Sequence, residues 1–305
     1  MRKPLSFFTG VLVLAGTTGC LVSMPRANPL PRWDESLLVT TEELEDRLGD
    51  PRTVILHVGR DRASYDAGHI PGARFLPLSS LVTERNGVPN ELPPVAQLEE
   101  AFESVGVSDN SRVVLYGDLG GLAAARAFFS LDYLGKTDGA LLDGGLEQWR
   151  AEQRAIDTQA PGVQRGSLTV RERRDIVVDA EWVRSRLGND STIVLVDARP
   201  PAEYRGETPG EGVTRPGHIP GAHNIFWRTA MVSDQDPRLR SPEVLHAAYT
   251  LADAALGDTI VTYCRTGVQA SHAYYVARYL RRPVVMYDAS YIDWSRRGEE
   301  YPVER

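Results

Sequence analysis

The chain has 305 residues, of which 42% are hydrophobic, 25% charged and 8% aromatic, and its formal net charge is −7. This length predicts about two domains, and the composition excludes a disordered, collagen-like or coiled-coil protein. The negative charge argues against a broad electrostatic interaction with nucleic acid. Two cysteines, Cys20 and Cys264, are too few for a disulfide framework.

The first 19 residues have the pattern of an export signal. Arg2 and Lys3 are followed by an apolar stretch too short to span a bilayer and by small residues up to Cys20. The pattern resembles a bacterial lipoprotein signal, which implies cleavage after residue 19 and lipid attachment at Cys20. An ordinary secretory signal with an incidental cysteine is the alternative. Residues 20–33 are then a lipidated tether, and we expect an exported protein anchored at the cell envelope, on the periplasmic side, through its lipid only.

An internal repeat divides the rest of the chain into two copies. The hexapeptide Gly-His-Ile-Pro-Gly-Ala occurs at 68–73 and again at 217–222. Proline and glycine residues are concentrated between the copies, as is typical of a linker. We therefore expect a first copy at 34–160, a linker at 161–174 and a second copy at 175–305.

Within each copy, short β-branched runs alternate with helical patterns. The runs suited to buried strands lie at 53–58, 112–116, 140–142, 192–197, 259–263 and 284–287, and the clearest helical stretches at 95–105, 121–134 and 269–280. This alternation predicts an α/β fold in which each copy is a parallel β-sheet with helices on both faces. Ligands of such sheets bind beyond the carboxyl ends of the strands, and Cys264 follows directly after one of them.

Cys264 begins a short loop between a predicted strand and a predicted helix. A helix start directs several backbone N–H groups at one point and places the positive end of the helix dipole there. With Arg265 adding positive charge, we expect the Cys264 thiol to have a pKa below that of a free cysteine. A buried structural cysteine is the alternative, but the neighbouring Arg265, Thr266 and Gly267 argue against an apolar site.

Three motifs together are similar to the rhodanese sulfurtransferases. They are Asp197-Ala198-Arg199, the hexapeptide at 217–222, and Cys264-Arg265-Thr266-Gly267. The resemblance extends over residues 35–303 and implies two tandem rhodanese domains, of which the second is catalytic. Gly117 stands at the position that matches Cys264, so the first copy is expected to be catalytically silent.

The resemblance implies a two-step sulfur transfer without a metal or organic cofactor. The Cys264 thiolate takes sulfur from a donor such as thiosulfate, and the resulting persulfide passes it to a thiol or to cyanide. Asp197 is expected to brace the loop by hydrogen bonds, and Arg199 either contacts the substrate or pairs with Asp197 or Glu203. The other expected substrate contacts are made by the loop itself, at Arg265, Thr266, Gly267, Val268, Gln269 and Ala270.

The choice of donor and the exact function leave alternatives open. Arg265 favours thiosulfate, whereas Glu203 would repel a dianion unless it pairs with Arg199, Arg205 or Arg215. 3-Mercaptopyruvate is the other candidate donor. A cysteine phosphatase would need arginine six residues after the nucleophile, where this chain has Ala270. An exported persulfide carrier that delivers sulfur to a partner protein is the main alternative to an enzyme. A purely structural lipoprotein is disfavoured because the Cys264 loop is intact.

Overall fold

A computed structural model describes residues 32–305, all of which lie in one compact unit. The predicted signal sequence and Cys20 lie outside the described residues. Within the described part, no helix has the length and apolar character needed to cross a membrane.

The first copy contains a five-stranded parallel sheet in the order β1-β7-β6-β2-β3, and β4 and β5 form a separate antiparallel hairpin. The strands are β1 Leu38–Val39, β2 Thr53–Gly59, β3 Arg74–Pro77, β4 Thr83–Arg85, β5 Val88–Glu91, β6 Arg112–Gly117 and β7 Gly139–Leu142. The helices are α1 Thr41–Glu45, α2 Ala63–Asp66, α3 Val95–Ser104, α4 Leu122–Tyr133 and α5 Gly145–Ala151.

The second copy has a parallel sheet in the order β8-β12-β11-β9-β10, which is the same topology. Its strands are β8 Val177–Val178, β9 Ile193–Asp197, β10 His223–Asn224, β11 Thr259–Tyr263 and β12 Val284–Tyr287. Its helices are α6 Ala180–Arg184, α7 Pro201–Tyr204, α8 Pro242–Leu251, α9 Val268–Tyr279 and α10 Ser290–Arg296. The predicted α/β class, with parallel sheets and helices in both copies, is confirmed.

The central strands are buried on both faces, which explains why their sequences are continuous apolar runs rather than alternating patterns. One apolar core extends across both copies, and a smaller core lies on the outer face of each sheet. The copies meet through α4 and α9, both almost wholly buried. Edge-to-face contacts of Phe128 with Tyr275 and of Phe129 with Tyr274 join the two helices, at ring-centroid distances of 5.1 and 4.9 Å.

The repeated hexapeptide forms the same turn in both copies. The ring of His69 stacks on Tyr65 and that of His218 on Tyr204, each with 3.8 Å between ring centroids. Each histidine also lies 2.9 Å from the backbone oxygen of the tyrosine on which it stacks. The motif therefore stabilises the chain after α2 and α7, away from Cys264.

Candidate active site

Cys264 lies at the carboxyl end of β11, immediately before the turn that begins α9. Its side chain is 1% exposed and borders a cavity of about 240 Å³ between the two copies. The second copy lines this cavity with Cys264, Arg265, Thr266, Val268 and Gln269, and the first copy with Arg60, Leu78, Asn90, Leu119 and Leu122. Half of the lining residues thus come from the copy that has glycine at the position matching Cys264.

The sulfur of Cys264 accepts hydrogen bonds from the backbone of its own loop. The amide of Gly267 donates to Sγ over 3.1 Å, and the amides of Thr266, Gln269 and Ala270 also favour the thiolate. Burial nevertheless outweighs these amides and raises the pKa of the Cys264 thiol above its ordinary value. The expectation of a lowered pKa is therefore wrong, because removing the thiolate from water has the larger effect.

The positive charge of Arg265 lies close to a carboxylate as well as to the Cys264 loop. Its guanidinium lies 3.9 Å from a carboxylate oxygen of Glu203, whose side chain is 16% exposed. Both side chains pack closely against Gly210. A Cβ added to Gly210 would lie 2.5 Å from Arg265 Cδ and 2.8 Å from Glu203 Oε2. Arg60 also lines the cavity, and within residues 32–305 no carboxylate forms an ion pair with it. Of the two arginines that line the cavity, Arg265 thus has a carboxylate partner for its guanidinium, and Arg60 has none within residues 32–305.

Arg199 and Asp197 form a buried ion pair beside β9. The Arg199 guanidinium donates to Asp197 Oδ2 over 2.5 Å and to the carbonyl of Gly217 over 2.8 Å. Its Cζ also lies 4.0 Å from the ring centroid of Tyr291. Arg199 does not line the Cys264 cavity, so the structure supports pairing with Asp197 rather than the predicted contact with substrate.

Asp197 also departs from its expected role. Among the hydrogen bonds of residues 32–305, none joins its carboxylate to the loop of residues 264–270; its partner is Arg199, and it lies beside the hydroxyl of Tyr263. Asp197 therefore supports the end of β11, one residue before Cys264, and does not brace the loop directly.

The loop is braced instead by the segment after β12, a role that the sequence analysis missed. The Cys264 amide donates to Ser290 Oγ over 3.2 Å, and the amide of Tyr291 donates to the Cys264 carbonyl over 2.9 Å. Ser290 has φ +59°, and the first copy has Gly145 with φ +57° at the matching position. Aligning the two copies places Ser290 opposite Gly145. Because this position requires a left-handed backbone that favours glycine, the serine is the sequence signal that could have revealed its contact with Cys264.

The first copy contributes two polar contacts to the same region. Asn90 Nδ2, at the end of the β4–β5 hairpin, donates to Thr266 Oγ1 over 3.0 Å. Arg126 on α4 forms a buried ion pair with Asp288, which follows β12. Neither contact was predicted, because each joins residues more than 150 positions apart.

The matching loop of the first copy has no space for a side chain at its first position. A Cβ on Gly117 would lie 2.0 Å from the backbone oxygen of Val58. Asp118, the next residue, accepts a hydrogen bond from Ser64 Oγ over 3.0 Å and lies 3.2 Å from His57 Nε2. Within residues 32–305, no group of three or more His, Cys, Asp or Glu side chains is arranged to hold a metal ion.

Comparison with known proteins places this geometry in a family. A model of the rhodanese-like domain matches residues 40–152 and 179–297. A sulfur carrier protein of Thermus thermophilus is 34% identical over 273 residues, covering 85% of this chain and 93% of the relative. A thiosulfate sulfurtransferase of Pseudomonas aeruginosa is 32% identical over 274 residues, covering 89% of this chain and 98% of the relative.

A solved structure of a rhodanese-fold protein is also similar to this chain. The crystal structure of SseA from Escherichia coli, a 3-mercaptopyruvate sulfotransferase, superposes with a TM-score of 0.73 at 25% identity, covering 83% of this chain and 98% of SseA. Two matched domains, relatives aligned over most of their length and a cysteine loop at a strand end lead to one conclusion. The chain belongs to the rhodanese family and is a sulfurtransferase with two rhodanese-like domains.

Proposed function

We propose that this sulfurtransferase carries sulfane sulfur as a persulfide on Cys264 and that thiosulfate is its donor. The thiolate attacks the outer sulfur of thiosulfate, the bond between the two thiosulfate sulfurs breaks, and its electron pair leaves with sulfite. A thiol or cyanide then attacks the terminal sulfur of the persulfide, which returns Cys264 to the thiolate. The observation that carries this proposal is the position of Sγ, which lies at a cavity and accepts a hydrogen bond from Gly267.

The loop is suited to stabilise negative charge on sulfur during both steps. Its amides are fixed by α9 and by the hydrogen bonds of Ser290 and Tyr291 to Cys264, so they need little reorganisation when charge develops. Because burial disfavours the free thiolate, these donors have their greatest effect in the transition state and in the persulfide anion. The terminal sulfur of a persulfide would extend from Cys264 toward Thr266 and Gln269, which line the cavity.

The charged side chains around the cavity influence which sulfur donor binds there. Arg60 lines the cavity and its guanidinium forms no ion pair within residues 32–305, although the Asp118 carboxylate accepts its backbone amide hydrogen over 3.2 Å. Glu203 offsets part of the charge of Arg265. We propose thiosulfate because two guanidinium groups line a cavity of small volume. 3-Mercaptopyruvate is the alternative donor, and the relative from Escherichia coli is a 3-mercaptopyruvate sulfotransferase.

Intact-mass spectrometry of the protein after mixing with each donor tests the proposal. Transfer of one sulfur atom adds about 32 Da to the chain. We expect this adduct with thiosulfate, and its removal when cyanide or a thiol is added. Formation of the adduct with 3-mercaptopyruvate alone would overturn the choice of donor, and its absence with both donors would overturn the persulfide.

A persulfide carrier is the second candidate function, because the relative from Thermus thermophilus is named a sulfur carrier protein. An enzyme turns over small acceptors many times, whereas a carrier forms the persulfide and releases it slowly unless a partner protein is present. Multiple-turnover kinetics with thiosulfate and cyanide therefore separate the two. We propose the enzyme, and we expect rapid turnover.

Replacing Glu203 by glutamine is expected to lower the KM for thiosulfate about tenfold, because Arg265 would regain its full charge toward the anion. The effect on 3-mercaptopyruvate, which carries one negative charge, should be smaller. Steady-state kinetics with both donors measure this. Glu207→Gln is the matched control, since Glu207 pairs with Arg205 at an exposed position. An unchanged or raised KM in Glu203→Gln would contradict the charge argument.

We also propose, from the sequence alone, that the protein is exported and that lipid is attached at Cys20. Two acyl chains would give stable anchoring where one chain would not. Cys20→Ala is expected to release the protein from the membrane fraction, or to leave it unprocessed, without changing its sulfurtransferase activity. Cell fractionation and mass analysis of the N-terminus measure this. A Cys20→Ala protein that remains membrane-bound with a normally cleaved N-terminus would show that the anchor lies elsewhere.

A further inference from the structure

We propose that Arg126, a buried residue of the catalytically silent first copy, is a positioning residue for the Cys264 loop and acts through Asp288. The inference deepens the proposed function, since it takes Cys264 as the nucleophile. It assigns to the first copy an electrostatic role in the chemistry of the second.

Arg126 and Asp288 form a buried ion pair that joins the two copies. Arg126 is 0% exposed, and its Nη1 lies 2.6 Å from Asp288 Oδ1. The other carboxylate oxygen of Asp288 accepts a hydrogen bond from the amide of Leu92 over 2.5 Å. Arg126 and Leu92 both belong to the first copy, so that copy supplies the guanidinium and the amide that hold this carboxylate of the second copy.

The ion pair lies directly against the catalytic loop. Gly267 has φ +91°, and a Cβ on it would lie 2.8 Å from both the backbone oxygen and Oδ1 of Asp288, and 3.4 Å from Arg126 Nη1. The same Gly267 donates its amide hydrogen to Cys264 Sγ over 3.1 Å. A single residue therefore separates the buried pair from the sulfur.

The repeat shows that this arrangement is specific to the catalytic side. His272 is the fifth residue of α9, as Arg126 is of α4, and Asp143 follows β7 as Asp288 follows β12. Asp143 accepts an amide hydrogen from Leu239 over 2.8 Å, which matches the contact of Asp288 with Leu92. Within residues 32–305, however, His272 makes no hydrogen bond to Asp143, and both line a small cavity of about 40 Å³. Within residues 32–305, the counterpart of the Arg126–Asp288 ion pair is therefore missing beside the matching loop of the first copy.

The pair has no net charge while it is intact, but removing either member leaves one buried charge beside the loop. An unpaired Asp288 carboxylate disfavours the thiolate and raises the thiol pKa, whereas an unpaired Arg126 guanidinium lowers it. The other charged groups at the cavity are Arg60, Arg265 and Glu203. Glu91 faces the ion pair, and burial together with the Asp288 carboxylate raises the pKa of Glu91 to about 7. None of these residues is replaced in either variant. The two substitutions are therefore expected to shift the pKa of Cys264 in opposite directions.

The experiment compares Arg126→Met with Asp288→Asn in the full chain. The rate of iodoacetamide alkylation is followed against pH by peptide mass spectrometry, which reads Cys264 separately from Cys20. We expect the apparent thiol pKa to be higher in Arg126→Met than in Asp288→Asn by about one unit or more. Equal values in the two variants, or the reverse order, would overturn the proposal, because a merely structural role gives no fixed order.

Two further variants separate electrostatics from folding. Arg126→Lys keeps the charge and is expected to restore a thiol pKa close to that of the wild type. Arg278→Met is the control, since Arg278 on α9 forms an ion pair with Asp132 on α4, 3.1 Å apart, and thus also joins the two copies. We expect it to leave the thiol pKa unchanged. If Arg126→Met does not fold, as thermal unfolding would show, Asp288→Asn must still lower the thiol pKa relative to Arg278→Met, and failure to do so overturns the proposal.

The alkylation experiment uses no sulfur donor, so its outcome is independent of the proposed function. Persulfide formation with thiosulfate is measured separately on the same variants. Opposite pKa shifts without any persulfide in the wild type would support the positioning role and contradict the proposed function. Persulfide in the wild type together with equal pKa values in both variants would support the proposed function and contradict the positioning role.

Discussion

Replacing Cys264 by serine is expected to abolish persulfide formation and to reduce kcat/KM for sulfur transfer by at least about four orders of magnitude. Cys264 is the single cysteine within residues 32–305, and a hydroxyl at this position cannot form the sulfur–sulfur bond on which the proposed transfer depends. Serine is close to cysteine in shape, so the buried site should remain folded. Intact-mass spectrometry after addition of thiosulfate, together with thiocyanate production from cyanide, measures both effects.

Cys20→Ala is the matched control for this substitution, because the chain contains no other cysteine. We expect Cys20→Ala to form the persulfide like the wild type. Unchanged turnover in Cys264→Ser would show that sulfur transfer does not proceed through this residue, and the assignment of the site would then be wrong.

Replacing Gly267 by alanine is expected to lower kcat/KM about 100-fold or more. An added Cβ would lie 2.8 Å from Asp288, and the backbone has φ +91°, a conformation that favours glycine. The loop must therefore shift, and the hydrogen bond from the Gly267 amide to Cys264 Sγ would be lengthened or lost. Steady-state kinetics measure the loss of activity, and the rate of Cys264 alkylation reports the change around the sulfur.

Gly221→Ala is the control for the effect of backbone conformation alone. Gly221 has φ +73° in the second copy, and no atom lies within 4 Å of an added Cβ. Both substitutions strain the backbone by about 1–2 kcal/mol, but only the one at Gly267 moves the loop. Equal activity in the two variants would contradict the role given to the Gly267 amide.

The first copy lines the cavity beside Cys264, although it has Gly117 at the position that matches the cysteine. It supplies half of the residues around the cavity, including Arg60, and its Asn90 holds the hydroxyl of Thr266. The cavity beside Cys264 therefore has the second copy on one side only, and the first copy forms its other side.

Much of the fold follows from local sequence patterns. The predicted strand at 259–263 coincides with β11, and the predicted helix at 269–280 differs from α9 by one residue at each end. Long apolar runs specify buried parallel strands without help from distant residues. The edge strands β1, β8 and β10 have two residues each and were not predicted, because so short a segment has no periodicity and forms only by pairing with its neighbour.

The position of Cys264 in the fold could also be predicted from the sequence. The repeat aligned Cys264 with Gly117, and the strand before Cys264 placed it at the carboxyl end of a sheet. Residue type and order are sufficient for such a conclusion, because a strand followed by a helix sets where the intervening loop lies. The presence of Thr266 and Gln269 at the cavity follows in the same way.

The pKa shift of Cys264 and the ion pairs around it could be determined only from the tertiary structure. The direction of the pKa shift of Cys264 depends on how far the folded chain excludes water from the sulfur. The neutralisation of Arg265 by Glu203 joins residues 62 positions apart, and the Arg126–Asp288 pair joins residues 162 positions apart. Burial and the distances between remote charges are properties of the packed chain, and they decide which arginines remain available to a substrate and which support the loop.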